Sequence, residues 1–361
     1  MCGGEHTQEA GTELFPPLPP EVEKIANELA VGELDPDFYS KLLESQCGVA
    51  DDSQDVESYD GALGVTEAFV NARQVPVGQL QWNNNLAAIY TNPGNVSGAR
   101  WCTGVLIGNN LFLTAGHCLD SNPPEWQVPR VNGTNDSIRP NEIATNMHVN
   151  LNYQRDPAGN LRPVQQFAVT GLTEHRLGGF DYAVLELAGN PQSTFGTGLM
   201  SRQDANLNDM VCIIGHPRGS PKRVEAGSVT GLSGSQIRYN DIDTLGGNSG
   251  SPIWASPAGQ IVGVHTNGGC TTTGGFNFGV RISSLLATSP TLRALLNLQS
   301  LQVAGITNDG GMWHTLRRQG GSWVGFGDVK GQAGTHPGSF VAVGCAGVNE
   351  ELHVCGVTRD G

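Results

Sequence analysis

Short apolar runs, each cut off by a glycine- or asparagine-rich turn, recur through the middle of this chain and point to β structure. Trp101–Ile107 and Leu111–Thr114 flank Gly108-Asn109-Asn110, a hairpin signal. Further runs lie at Ala183–Leu187, Val211–Ile214, Pro252–Trp254, Ile261–Thr266 and Phe276–Ile282, and Ser256-Pro257-Ala258-Gly259 turns another hairpin. A chain with 50 glycines, 20 prolines and only 15% charged residues is a poor source of the long amphipathic helices of a bundle or coiled coil. Ser289-Pro290 supplies an N-cap and a first-turn proline for one closing helix through Leu298. Many short strands followed by one helix predict an all-β barrel domain over residues 76–297.

Charge divides the chain further. Residues 1–75 hold 16 acids and 3 bases, whereas residues 76–361 hold 18 acids and 17 bases. The acidity therefore belongs to a leader and not to the barrel domain. Residues 1–46 read as a propeptide-like leader with a stiff Pro16-Pro17-Leu18-Pro19-Pro20 tract and a short helix at Glu21–Ala30. The stretch Glu44–Cys47 is the expected processing region. Residues 47–75 form a second acidic segment of the mature protein. A formal charge of −14 argues against nucleic acid as a partner, and no run of 18 apolar residues offers a membrane span. Eight cysteines in a glycine-rich β chain suggest an oxidising compartment, secreted or cell-envelope, although Met1–Gly11 has no apolar signal core. The Cys2-Gly3-Gly4 start resembles that of a mature bacterial lipoprotein.

Three segments carry chemistry. Thr114-Ala115-Gly116-His117-Cys118 ends a strand, Asp181-Tyr182-Ala183-Val184 begins one, and Gly247-Asn248-Ser249-Gly250-Ser251-Pro252 forms a tight turn. A serine hydroxyl becomes a nucleophile only when an adjacent base takes its proton, and the base needs a buried carboxylate to fix its tautomer. His117, Asp181 and Ser249 supply those parts. The backbone N–H groups of Gly247 and Ser249 can converge on an oxyanion if the chain turns sharply, as the neighbouring glycines permit. The turn is not a G-x-S-x-G elbow, because position 251 is serine, and the order His, Asp, Ser differs from that of the α/β-hydrolases. Taken alone, Thr114–Cys118 also reads as a chance turn or a His/Cys metal half-site.

At these residues the sequence resembles the chymotrypsin-like (trypsin-like) serine proteases, and within them the bacterial glutamyl endopeptidases. Thr114–Cys118, Asp241–Pro252 and Gly263-Val264-His265-Thr266-Asn267-Gly268 carry the resemblance, which covers roughly residues 76–297. It implies two antiparallel six-stranded β-barrels with a C-terminal helix and the active site between the barrels. It also implies a Cys102–Cys118 disulfide, the triad roles above, a protein or peptide substrate, and no metal or organic cofactor. Thr244 and His265 match the residues that bind an acidic P1 side chain in that family, with Thr266, Asn267 and Gly268 continuing beside the substrate. An alternative reading puts Asp243 at the base of a trypsin-like pocket for Arg or Lys. Asn248 stands where trypsin-type enzymes have Asp, so activation is expected not to use an ion pair there. The long gap before Asp181 predicts an extended loop over 121–165. His216 reads as a turn residue. Arg218, Lys222 and Arg223 read either as positive potential for an acidic-substrate pocket or as solvated loop charges, and Cys212 and Cys270 as a pair whose connectivity stays open.

Leu301–Gly310 matches Leu352–Gly361 at an offset of 51 residues. Such a period suggests incomplete β-propeller-like repeats over 300–361, similar to bacterial propeller-lectin blades. Trp313 and Trp323 are candidates for stacking on carbohydrate, or for a blade core. Cys345 and Cys355 flank an expected turn and would bridge two strands. An inactive protease fold within a carbohydrate-binding protein is the rival reading of the whole chain.

Overall fold

The computed structural model describes residues 46–123, 126–298, 301–308, 311–317, 325, 327–329, 339–348 and 351–358. The leader helix, the Cys2 start and the processing region before residue 46 lie outside the described residues.

The described chain enters with β1 (Gln54–Asp55) and α1 (Glu67–Arg73), whose N-cap Thr66 accepts a hydrogen bond from Phe69 N at 3.1 Å. A closed antiparallel barrel follows. Its strands are β2 (Val77–Trp82), β3 (Arg100–Gly108), β4 (Leu111–Thr114), β5 (Met147–Leu151), β6 (Gln165–Arg176) and β7 (Tyr182–Leu187), in the order β2-β3-β4-β7-β6-β5. The region 121–165 is therefore more than a loop. It contributes α2 (Pro140–Thr145), all of β5 and the first residue of β6.

The second unit is a sheet of eight strands, where the sequence suggests six. It comprises β1 with β8 (Met210–Gly215), β9 (Arg223–Ser228), β10 (Gly231–Ser233), β11 (Gln236–Tyr239), β12 (Pro252–Ala255), β13 (Gln260–Asn267) and β14 (Asn277–Arg281). The order is β1-β9-β8-β12-β13-β14-β11-β10, open between its two ends. The acidic segment 47–75 is thus part of this unit. It adds β1 to the edge at β9, buries Val56, Tyr59, Val65 and Val70, and is tied to the sheet by a Cys47–Cys270 disulfide. Cys212 is a buried free thiol, so the open pairing of Cys270 resolves to Cys47. Helices α3 (Ile282–Thr288) and α4 (Pro290–Leu298) close the unit, and Ser289 Oγ accepts from Leu292 N at 3.0 Å.

Strand alternation explains why the central runs read as continuously apolar. Successive residues of a strand face opposite sides of the sheet. In β7, Ala183, Leu185 and Leu187 face the barrel interior with Leu80, Trp82, Leu106 and Phe112. Tyr182 and Val184 instead join Val105, Ile107, Leu113, Trp254 and Ile261 in a second core, which spans both units. A strand buried on both faces has no polar side to show. Fully burying each such side chain contributes about 1.5–3 kcal/mol, so this shared layer holds the units together.

The two halves of the 51-residue match fall on strands, β15 (Leu301–Ile306), paired with β16 (Met312–Arg317) and through it β17 (Gly327–Asp328), and β19 (Glu351–Thr358), paired with β18 (Phe340–Val348). The β18–β19 register sets Cys345 opposite Val354 and Cys355 opposite Gly344. Among the described residues Trp313 is 37% exposed. Trp323 lies outside the described residues.

Candidate active site

Antiparallel pairing assembles the His–Asp part of the site. Strand β4 pairs with β7 so that Thr114 faces Ala183. The residues that follow β4 and those that precede β7 therefore lie at the same end of the barrel. His117 sits in a 3-10 turn at Gly116–Leu119, and Asp181 caps another at Gly178–Phe180. The Asp181 carboxylate accepts from His117 N at Oδ1 (2.8 Å) and bonds His117 Nδ1 at Oδ2 (2.7 Å). Gly116 permits the approach, since a Cβ there would lie 1.8 Å from the Arg176 carbonyl oxygen. Cys102 and Cys118 are joined by a disulfide across the turn. Their sulfurs are thereby committed, which leaves the His/Cys metal half-site without thiolates. Burial disfavours the His117 imidazolium, but the charge and hydrogen bond of Asp181 outweigh it and hold the pKa above the ordinary histidine value. His117 Nε2 is buried and has no hydrogen-bond partner among the described residues.

Ser249 arrives from the second unit on a turn whose Gly247 and Gly250 have φ of +99° and +90°, a region that glycine adopts readily. This turn is bolted to the first barrel. Thr103 N donates to the Ser249 carbonyl at 2.9 Å, and Thr103 Oγ1 donates to the Gly247 carbonyl at 2.8 Å. Cys118 Sγ lies 3.9 Å from the Ser249 carbonyl oxygen, which sets the serine turn against the His117 turn. Arg218 N donates to the Gly246 carbonyl. A trans peptide directs its N–H opposite to its C=O, so the Gly247 N–H points away from Arg218. Among the described residues, neither Gly247 N nor Ser249 N donates to a protein acceptor.

Strand β13 runs beside the same turn. Gly250 N donates to the His265 carbonyl at 2.8 Å, and His265 N donates to the Ser251 carbonyl at 2.9 Å. The His265 ring is 2% exposed and shares a 2.5 Å hydrogen bond between Nδ1 and Tyr239 Oη. Burial, and secondarily the charge of His117, pushes its pKa down to about 3, so the free site holds a neutral imidazole. Thr244 is 1% exposed, and its Oγ1 has no hydrogen-bond partner among the described residues. Thr266 and Asn267 end β13, and Gly268 follows it, buried.

Several residues sit differently from the sequence reading. Asp243 is buried and accepts from Cys47 N at 2.5 Å, so it lies under the N-terminal segment. Lys222 is neither a solvated charge nor part of a positive pocket. It is fully buried, and its Nζ donates to Gln74 O (2.7 Å), Gln74 Oε1 (3.2 Å) and Gln154 Oε1 (3.0 Å). Arg223 is likewise engaged, with Ser53 and Asp55. Of the three, Arg218 alone is exposed. His216 is fully buried, stacks on Tyr153 at 5.6 Å and has its pKa pushed down to about 3 by burial. Sequence reasoning missed Thr103 and Tyr239, because nothing local marks a strand threonine or tyrosine as the support of a distant turn.

Residues 102–264 match the family described as a trypsin-like peptidase domain. An extracellular metalloprotease of Bacillus subtilis is 27% identical over 202 residues, covering 53% of this chain and 57% of that protein. A glutamyl endopeptidase of Staphylococcus epidermidis is 27% identical over 157 residues, covering 38% and 55%. A solved structure of a Glu endopeptidase in complex with MPD is 20% identical, with a TM-score of 0.41, covering 70% of this chain and 98% of that one. The chain spans about half the length of the curated relatives it matches. No helix among the described residues is long and apolar enough to cross a membrane. By these comparisons residues 102–264 of this chain are similar to the trypsin-like peptidase domains of the chymotrypsin-like serine proteases.

Proposed function

We propose that this chain is an exported serine endopeptidase that cleaves after Glu or Asp at P1. The observation that carries the reading is the doubly bonded His117–Asp181 pair with the Ser249 turn anchored against it. Asp181 holds the Nδ1 side of the ring, which leaves Nε2 to take the Ser249 proton. Ser249 Oγ attacks the scissile carbonyl, and the N–H groups of Gly247 and Ser249 receive the developing oxyanion. His117 then donates its proton to the leaving amine. Water repeats the cycle on the acyl-enzyme.

The P1 preference is supported by Thr244 and His265, two buried polar side chains beside the serine turn. An entering carboxylate finds an imidazole and an unpaired hydroxyl there, and its charge favours protonation of the ring. The named activity of the glutamyl endopeptidase relatives points the same way. The alternative of a basic P1 is disfavoured by Asp243, whose carboxylate is engaged with Cys47. Export fits the two disulfides among the described residues. The leader 1–46 is proposed as a removable segment and 300–361 as a repeat module.

The test is cleavage of peptides differing only at P1 (Glu, Asp, Arg, Lys, Phe, Ala), with Ser249→Ala as control. Turnover after Glu that vanishes in the control is expected. Turnover after Arg would place Asp243 in the pocket and overturn the specificity. Failure of a fluorophosphonate to label Ser249 after removal of residues 1–46 would indicate an inactive fold.

A further inference from the structure

Behind the serine turn, on the side of the N-terminal segment, three carboxylates from distant parts of the chain converge. Asp51, Glu225 of β9 and Asp243 each offer an oxygen within 4.8 Å of the others. They line a small cavity together with Ser53, Arg223, Leu245 and Asn248. Glu225 is 3% exposed, and neither of its carboxylate oxygens has a hydrogen-bond partner among the described residues. Asp243 is 4% exposed, and its Oδ2 is unpartnered in the same way, Oδ1 being taken by Cys47 N. Burying carboxylate oxygens without partners is costly, and such groups are ordinarily paired or bound to a metal. The one guanidinium at the cavity does not relieve them, since Arg223 bonds Ser53 Oγ, Ser53 O and Asp55.

We propose that Asp51, Glu225 and Asp243 bind a calcium ion that ties the segment 51–53 to the loop 243–248 behind the nucleophile. Hard oxygen donors with no nitrogen or sulfur among them suit an alkaline-earth cation. Calcium accepts an irregular shell of six to eight oxygens, whereas magnesium demands a near-ideal octahedron, so three carboxylates from separate segments that all lie within 4.8 Å of one another suit calcium. Water completes the shell on the Asp51 side, which is exposed. Without a cation, burial and the neighbouring charges of Asp52, Asp243 and Asp51 push the Glu225 carboxyl up to about 10. Burial pushes Asp243 up to about 6. The site is separate from the reacting atoms and has a structural role. The sequence does not reveal it, because its ligands lie at positions 51, 225 and 243.

The experiment strips the full chain with EGTA and titrates it with calcium chloride by calorimetry and by thermal unfolding. One calcium per chain is expected, with the unfolding midpoint rising by about 5–10 °C at a hundredfold excess over Kd and by much less with magnesium. Glu225→Gln should abolish both binding and shift. Asp51→Asn, at an exposed side chain that leaves the fold intact, should weaken binding at least about tenfold. Absence of binding at millimolar calcium, an equal effect of magnesium, or undiminished binding in both variants would overturn the proposal. Neither readout depends on peptidase activity.

Discussion

Thr103 N donates a 2.9 Å hydrogen bond to the carbonyl of Ser249, joining β3 of the closed barrel to the serine turn of the second unit. The Thr103 side chain adds to this link. Its Oγ1 donates to the Gly247 carbonyl at 2.8 Å and accepts from His216 N at 3.0 Å. One buried residue thus fixes both ends of the proposed oxyanion turn. Thr103→Val should leave two buried backbone groups unpaired and cost about 1–3 kcal/mol for each. Denaturant unfolding should register that loss, and kcat should fall with it. Thr103→Ser, which restores the hydroxyl, should recover most of both.

In the proposed mechanism the His117–Asp181 pair sets the acid limb of activity. The base works only when neutral, and Asp181 raises the His117 pKa above the ordinary value. The kcat/KM should therefore rise with pH through that raised pKa. Asp181→Asn removes the charge that favours the imidazolium, so the midpoint should move to lower pH while kcat drops by about four orders of magnitude. A pH profile with an unmoved midpoint would disconnect Asp181 from the titrating base.

Tyr239 and His265 form a buried pair beside the proposed P1 pocket. Tyr239→Phe leaves His265 Nδ1 without its partner. The expected result is a rise of about tenfold or more in KM for a Glu-P1 peptide, since a hydrogen bond to a group that becomes charged is worth about 1.5–3 kcal/mol. Fluorophosphonate labelling of Ser249 should keep its rate, because the proposed triad is untouched. Equal losses in both assays would mean that Tyr239 supports the fold and not the pocket.

Lys222 makes stability depend on alkaline pH. Burial pushes its pKa down to about 7, whereas an unfolded lysine titrates near about 10.4. Between these values the unfolded chain binds more protons than the folded one, so stability rises with pH from about 7 to about 10. The slope is on the order of 1 kcal/mol per pH unit at most. Lys222→Met should flatten that rise in chemical unfolding series at several pH values. An unchanged slope would mean that the buried amine is neutral in neither state.

The Cys102–Cys118 disulfide closes a loop with a sequence separation of 16. A loop of that size is worth about 3 kcal/mol in the chain-entropy account. The double variant Cys102→Ala/Cys118→Ala should lose stability on that scale in guanidinium unfolding. A loss below about 1 kcal/mol would assign the hold on the His117 turn to its hydrogen bonds with Asp181 and His175.

What the sequence determined by itself was local. Glycine turns beside His117, Asp181 and Ser249, the strand runs from Trp101 to Thr114, and the Ser289-Pro290 start of α4 are written in adjacent residues, where turn chemistry and alternation act over a few positions. Strands β2 and β5 were illegible for a physical reason. Asn150 donates to Gln79 and Gln81, and Gln166 donates to Asn150, so amides, of which Gln79 and Asn150 are buried, satisfy one another across three strands and the segments read as polar. Only the tertiary structure decided the rest. It paired Cys270 with Cys47 across 223 residues, drew Asp243 under the N-terminal segment, buried Lys222 against Gln74 and Gln154, and brought Thr103 to Ser249. These contacts join residues far apart in the chain. Their partners are chosen by how two β units pack, a choice that no short stretch of sequence encodes.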